Sequence, residues 1–300
     1  VAFIGIILST LIGLLIGIAR LSNNYLVSKL AGGYIELFRN IPILLQILFW
    51  YNLFINIFPH PKQSFSFLDI AFLNQRGLYL PKPIPEDGFL FVVLAFIIGI
   101  IVAYFIKRFY KKKHELTGIH TSTWIYTLAL IFVLPVVIYF LIGSPLQFDL
   151  AILGKFNLKG GMAIVPEFLA LTFALSVYTA TYIAEAIRSG IEAVDKGQKE
   201  AAAAIGLSPV QSLKLIVLPQ ALRVAIPPTI NQYLNLTKNS SLATVIGYPE
   251  LMSTFGGTVL NQVGQAVEIL AMAMLVYLVI SLFISILLNY VNKKMEIQGR

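Results

Sequence analysis

Lys199–Leu222, KEAAAAIGLSPVQSLKLIVLPQAL, separates two strongly apolar segments and has the composition of a soluble helical pair. Glu200–Ile205 is Ala-rich, and alanine combines high helix propensity with a low-profile surface that another protein can approach closely. Gly206 supplies a helix stop, because glycine enters a left-handed cap without steric penalty. Ser208 followed by Pro209 is an N-cap and first-turn signal for a second helix. That helix runs into Leu218-Pro219, where proline is expected to break or kink the chain as it enters the membrane. The pattern predicts a helix, turn, helix. On composition alone the favoured reading is an amphipathic connector lying on a membrane surface.

The rest of the chain is apolar. Of 300 residues, 58% are hydrophobic and 12% charged, against about 25% charged in soluble domains. Apolar runs at about 1–19, 41–58, 89–107, 124–143, 167–187 and 266–291, with a less uniform one at 220–248, approach the length needed to cross a hydrocarbon core. Backbone in lipid must satisfy its own hydrogen bonds, so these read as helices, and no strand-period alternation suggests a β-barrel. The expectation is an all-α, polytopic integral membrane protein with about seven transmembrane helices.

Orientation is set by the basic residues. With Lys199 cytoplasmic, alternation places Arg20, Lys29, Arg39, the cluster Lys107, Arg108, Lys111, Lys112, Lys113, then Arg188, Lys196, Lys199, Lys214 and the tail Lys293, Lys294, Arg300 inside. Only Lys62, Arg76, Lys82, Lys155 and Lys159 fall outside, the bias that cytoplasmic loops show, with the C-terminus inside. The formal charge of +8 is therefore assigned to cytoplasmic loops and not to nucleic-acid binding. Cysteine is absent, and His60, His114 and His120 show no ligand spacing, so no metal site is expected. The segments 59–88 and 143–161 read as external loops, rich in turn punctuation. The chain opens on Val1 inside an apolar run and looks like a fragment lacking its N-terminus.

Three stretches carry a family resemblance. Glu200-Ala201-Ala202, then Gly206, then Ile216 and Leu218-Pro219 resemble, in identity and gap, the cytoplasmic "EAA" coupling loop of bacterial ABC importer permeases. YIELFRNIPILLQILFWY (34–51), with Tyr34, Glu36, Phe38, Arg39, Pro42 and Gln46, is similar to the signature of polar amino-acid uptake permeases. So are TYIAEAIRSGIEAVDKGQKEAA (181–202) and LPQALRVAIPPTINQYLNLTKNSSLATVIGYPEL (218–251). The resemblance covers nearly everything except about 60–160, which looks like the enlargement seen in the larger permeases of general L-amino-acid importers. It implies a permease domain over 1–300 with a five-helix core, a two-helix insertion at 60–160 and a coupling loop at 188–219.

The resemblance also implies a transport subunit, not an enzyme, of the bacterial inner membrane. It would translocate L-amino acids received from an external binding protein, beside a second, related permease chain. The sequence has no G-x-x-x-x-G-K-[ST] loop, since Gly154-Lys155 is followed by Phe156, so this chain is expected to bind no cofactor itself. ATP and magnesium would sit on separate ATPase subunits, which would dock on Glu200, Ala201, Ala202 and Gly206, with Leu218 and Pro219 closing the loop. Tyr178, Tyr182 and Glu185 share one helical face, as do Asn231, Asn235 and Lys238. With Gln46 and Ser240 these supply the expected substrate path, and polar groups at membrane depth usually face a wet interior. Pro227-Pro228 and the polar run after it mark 220–248 as a broken helix lining that path. Glu185 with Arg188, and Glu36 with Arg39, read as structural or gate pairs. Trp50 and Trp124 read as interfacial anchors. The alternative is an ion-coupled secondary transporter, for which neither inverted repeats nor midplane carboxylates for coupling ions are evident, with Glu185 the one residue that keeps it open.

Overall fold

The computed structural model describes residues 1–118, 122–154 and 158–295. His120, Lys155, Phe156 and Arg300 lie outside them. The helices are α1 (Ala2–Arg20), α2 (Tyr25–Asn40), α3 (Ile43–Ile57), α4 (Phe89–Thr117), α5 (Trp124–Leu141), α6 (Pro166–Glu192), α7 (Lys196–Ala204), α8 (Pro209–Ser212), α9 (Leu218–Asn239), α10 (Leu260–Val263) and α11 (Ala266–Met295). Among the described residues, six helical stretches are long and apolar enough to cross a membrane. A bent pair, α2 with α3, makes seven when read as one span. The helical membrane class expected from the sequence is therefore the one observed.

The chain divides into two compact units. One comprises Val1–His60, Asn74–Gly77 and Ile164–Arg300, the other Pro61–Leu73 and Leu78–Ala163. In the larger unit α6 is the central helix. Two thirds of its apolar window is buried (67%), against 22% for α1. Its sequence is suited to this position: Ala170, Ala174, Ala180 and Ala184 are fully enclosed and let neighbours approach. Its buried hydroxyls bond largely within the helix, Ser176 Oγ donating to the Thr172 carbonyl at 2.6 Å and Thr181 Oγ1 to that of Tyr178 at 2.7 Å. The buried residues of α1 are Gly5, Ser9, Gly13 and Gly17, a small-residue stripe at i, i+4 spacing laid largely against α6. A Cβ at Gly13 would stand 2.7 Å from Ile183 Cβ, so only glycine permits this approach. Ile47, Leu171, Leu175, Leu236 and Ile246 close the core between α3, α6 and the end of α9.

Three expectations about this unit are corrected. The run 41–58 is not a straight span. α3 has 15 residues, about 22 Å, and joins α2 at a bend of 104°. Pro42 is the cause: it disfavours helical geometry in the residue before it, and Ile41 is extended at φ −92°, ψ 129°. The sequence hides α2 because Lys29, Glu36 and Arg39 dilute its apolar character. Pro227-Pro228 does not break α9, which is continuous from Leu218 to Asn239. The two carbonyls that lose donors, on Arg223 and Val224, belong to exposed residues. Nor does Leu218-Pro219 interrupt the chain. A π-helical turn over Leu213–Val217 precedes it, the Leu218 N–H reaching back to the Leu213 carbonyl, and this wider turn accommodates the proline ring. Trp50, read as an anchor, packs edge-on against Phe173 at 4.6 Å, whereas Trp124 is largely exposed at the start of α5.

The smaller unit pairs α4 and α5 with short strands where loops were expected. These are β1 (Phe65–Phe67), β2 (Ala71–Asn74), β3 (Gly77–Leu80), β4 (Lys82–Pro85), β5 (Leu146–Asp149), β6 (Ile152–Leu153), β7 (Leu158–Lys159) and β8 (Met162–Ile164). They form a sheet in the order β1-β2-β3-β8 and two ribbons, β4 with β5 and β6 with β7. β4 runs antiparallel to β5, Lys82 opposite Asp149 and Pro85 opposite Leu146. Strands of two to four residues are too short to display an alternating period. Tyr79, Ala151 and Leu158 form a small core of their own.

Candidate functional site: a capped helix pair and a charged cavity

The stretch at 196–212 folds as its residues dictate. Asp195 caps α7, its side chain accepting from the Gly197 N–H at 2.6 Å. Gly206 ends the helix at φ +81°, and no heavy atom lies within 4 Å of a Cβ placed there, so glycine is required by conformation and not by crowding. The N–H groups of Gly206 and Leu207 close the last turn on the carbonyls of Ala203 and Ala202, each at 3.0 Å. Ser208 and Gln211 then form a reciprocal capping box, with Pro209 in the first turn of α8. The base of this pair is apolar: Val194, Val217 and Ala221 are buried together, with Ile191 against them. These residues stand at the C-terminal end of α6 and the start of α9, so the helix pair is seated on the ends of two membrane helices.

The outer face differs in part from the expected docking set. Glu200, Ala201 and Gly206 are exposed, but Ala202 is buried, 1% accessible, because it lies on the inward face of α7. The apolar residue at the tip is Ile205, three quarters exposed, which sequence reasoning passed over. Leu218 is exposed and Pro219 half-buried within the start of α9.

A cavity of about 290 Å³ lies between α1, α2 and α6, lined by Arg20, Gly32, Ile35, Glu36, Arg39, Asn40, Glu185 and Arg188. It gathers the four residues read as gate pairs; Glu185 and Arg188 pair as expected, and Glu36 and Arg39 do not. Arg188 holds Glu185 with two hydrogen bonds, Nη2 to Oε1 at 2.6 Å and Nε to Oε2 at 3.1 Å, and reaches Glu192 with its remaining amino group. Among the described residues Glu36 and Arg39 form no ion pair with each other. Instead the Arg39 guanidinium lies 5.8 Å from the centroid of the Tyr182 ring, whose hydroxyl shares a 2.9 Å hydrogen bond with that of Tyr178. A guanidinium over an aromatic face is attracted by the ring quadrupole. Arg20, absent from the expected set, donates to the carbonyl and hydroxyl of Ser28, each at 3.2 Å. Gly32 lets it approach, since a Cβ there would meet Arg20 Cζ at 3.1 Å, a contact that no spacing in the sequence announces.

The remaining path residues do not converge on this cavity. Gln46 is buried and braces the bend instead. Its Nε2 donates to the carbonyls of Phe38 and Ile41 at 2.7 and 2.9 Å; the first is left without its helical donor by Pro42, and the second belongs to the extended residue of the bend. Asn231, Asn235 and Lys238 lie exposed along one face of α9. Ser240 donates to the Thr237 carbonyl at 2.7 Å and lines a second cavity, about 340 Å³, beside Tyr248, Glu250 and Tyr277. Glu250 there accepts from Thr244 Oγ1 (2.6 Å), the Ser253 N–H (2.7 Å) and Tyr277 Oη (2.8 Å), tying the segment after α9 to α11. A carboxylate three residues before a helical N–H is a capping pattern readable in the sequence.

A helical bundle with six to seven candidate spans, a charged cavity and a firmly capped helix pair is the architecture of a polytopic membrane protein. The chain belongs to the family of binding-protein-dependent transport system inner membrane components, which it matches over residues 9–297. It is 48% identical over 300 residues to the general L-amino acid transport system permease protein AapQ of Rhizobium johnstonii, covering 100% of this chain and 75% of AapQ. With the glutamate/glutamine/aspartate/asparagine transport system permease protein BztB of Rhodobacter capsulatus it shares 39% identity over 315 residues, covering 94% of this chain and 73% of BztB. Among solved structures it resembles an amino acid ABC transporter crystallised with histidines, at a TM-score of 0.55 and 20% identity, over 98% of this chain and 88% of that one. That last likeness concerns the fold alone.

Proposed function

We propose that the chain is the permease subunit of an ATP-driven importer that carries L-amino acids, received from an external binding protein, across the bacterial inner membrane. The substrate class rests on the relatives, which are named for amino-acid transport. The observation that carries the coupling mode is the helix pair at 196–212, whose exposed Glu200, Ala201 and Ile205 surround a turn locked by Gly206. Separate ATPase subunits dock there, holding ATP and magnesium, while this chain holds no cofactor. The permease domain spans 1–300, with an insertion at about 60–160 and the coupling loop at 188–219. Its C-terminus faces the cytoplasm, and a related second permease chain completes the pathway.

Coupling runs through packing. Closure of the ATPases displaces a rigid helix pair, and the contact of Val194 with Val217 and Ala221 passes that displacement to α6 and α9 together. A two-state bundle biased from one end is the physical content of alternating access. The charged cavity serves as the cytoplasmic end of the path: Arg39, held by Tyr182, and the Glu185–Arg188 pair exchange partners as it opens.

The test is uptake of radiolabelled amino acids by vesicles containing the permease, its ATPase and its binding protein, for wild type and Glu200→Lys. Uptake that requires ATP and is lost in the normally inserted variant supports the assignment. Uptake that persists without the ATPase makes the protein an ion-coupled transporter and overturns it.

A further inference from the structure

We propose that the C-terminal end of α4 is a binding site for the headgroups of anionic phospholipids. The apolar part of α4, Phe89–Ile106, extends about 27 Å at 1.5 Å per residue, close to the thickness of a hydrocarbon core. The helix does not stop there. It continues unbroken to Thr117 and ends at Gly118, φ +70°. The added turns read KRFYKKK from Lys107 to Lys113, and Glu115 is the sole acid between Lys107 and Thr117.

A run of cations after a span is ordinarily a solvated cytoplasmic face. Three observations distinguish this one. The backbone is helical, so the charges sit at fixed depths over about 9 Å of rise, comparable to a headgroup layer. Lys107, Arg108, Lys112 and Lys113 are exposed, and among the described residues none of these four is engaged in an ion pair or a side-chain hydrogen bond. Lys107, Arg108 and Lys112 fall within an arc of about 140° at 100° per residue, one basic stripe on the helix. Phe109 and Tyr110, edge-to-face at 5.7 Å, are interleaved with them, as aromatic residues are at membrane interfaces.

The surroundings of the helix point to lipid as the occupant. Only 17% of the apolar window of α4 and 6% of that of α5 is buried within the chain, against 67% for α6. This hairpin therefore presents nearly its whole apolar circumference outward, and the molecules that meet its sides in a membrane carry their phosphates at the level of the basic stripe. Clustered bases next to a span attract anionic headgroups with a gain of about fivefold in affinity per base.

The experiment is lipid enrichment around the purified full-length permease, with its co-purifying partners, in nanodiscs of mixed phosphatidylglycerol and phosphatidylcholine. Retained lipids are counted by mass spectrometry for wild type, K112Q/K113Q and K107Q/R108Q/K112Q/K113Q. Because neutralising bases can disturb insertion, the double variant keeps Lys107, Arg108 and Lys111. A cysteine introduced at Thr117 in this cysteine-free chain reports the side reached by α4. The expected result is a several-fold fall in phosphatidylglycerol enrichment in the double variant and more than tenfold in the quadruple, with orientation unchanged. Unaltered enrichment in correctly inserted variants overturns the proposal. So does loss of a partner protein with an unchanged lipid profile, which makes the stripe a protein contact. Displacement of the lipid by inorganic phosphate at matched ionic strength reassigns the stripe to soluble anions and overturns it as well.

Discussion

Gly13→Ala is a demanding test of the packing of α1 against α6. A methyl group there would lie 2.7 Å from Ile183 Cβ, 2.8 Å from Ile183 Cγ2 and 3.1 Å from the Ala180 carbonyl oxygen. Ordinary contacts between carbon atoms are about 3.5–4.0 Å, and Cβ is fixed to the backbone, so no rotamer change at Ile183 relieves the clash. α1 and α6 must separate by about 1 Å, the scale of overpacking that costs about 1–3 kcal/mol. Alanine also gains about 1 kcal/mol over glycine in helix propensity, which would conceal part of the loss. Gly33→Ala on α2 is the matched control, because nothing lies within 4 Å of its Cβ position. The propensity gain is common to both, so the difference between the variants isolates the contact: Gly13→Ala should be less stable than Gly33→Ala by about 1–3 kcal/mol. Reversible unfolding of the purified permease in a defined detergent gives the difference. Uptake should fall in Gly13→Ala alone, since Tyr182 and Glu185 sit beside the displaced contact. Equal stability of the two variants would refute the close-packed seam.

Three more outcomes concern the bend, the turn and the cavity. Gln46→Leu strips donors from the carbonyls of Phe38 and Ile41, each bond worth about 0.5–1.5 kcal/mol net, read as a lowered unfolding midpoint. Gly206→Ala forces a side chain to φ +81°, costing about 1–2 kcal/mol; insertion should be normal while substrate-stimulated ATP hydrolysis drops, and full stimulation would contradict the docking assignment. Tyr182→Phe keeps the ring under Arg39 and loses only the bond to Tyr178, whereas Tyr182→Leu also removes a cation–π contact of about 0.5–1 kcal/mol. Initial uptake rates should therefore rank wild type, then Phe, then Leu.

The helix pair at 196–212 was the most legible part of the molecule. Its caps are local, formed at Asp195, Gly206, Ser208 and Gln211 with partners no more than five residues apart, so the order of residues is enough to specify them. The Gly5, Ser9, Gly13, Gly17 stripe was equally present in the sequence, but a spacing of four says only that some helix comes close. Ala202 shows the limit from the other side. Its match to the loop signature said nothing about which face of α7 it occupies.

That this chain is a polytopic helical membrane protein, that one helix ends at Gly206 and that another begins behind Ser208 could all be read before any fold was known. Each depends on apolar run length or hydrogen bonds between near neighbours. It took the packed bundle to establish that Gln46 braces a bend, that Arg39 leaves Glu36 for Tyr182, and that the polar faces of α6 and α9 do not meet in one cavity. Those outcomes depend on contacts between residues five to more than a hundred positions apart, where the bend at Pro42 and the close approach of α1 to α6 set which side chains can reach one another.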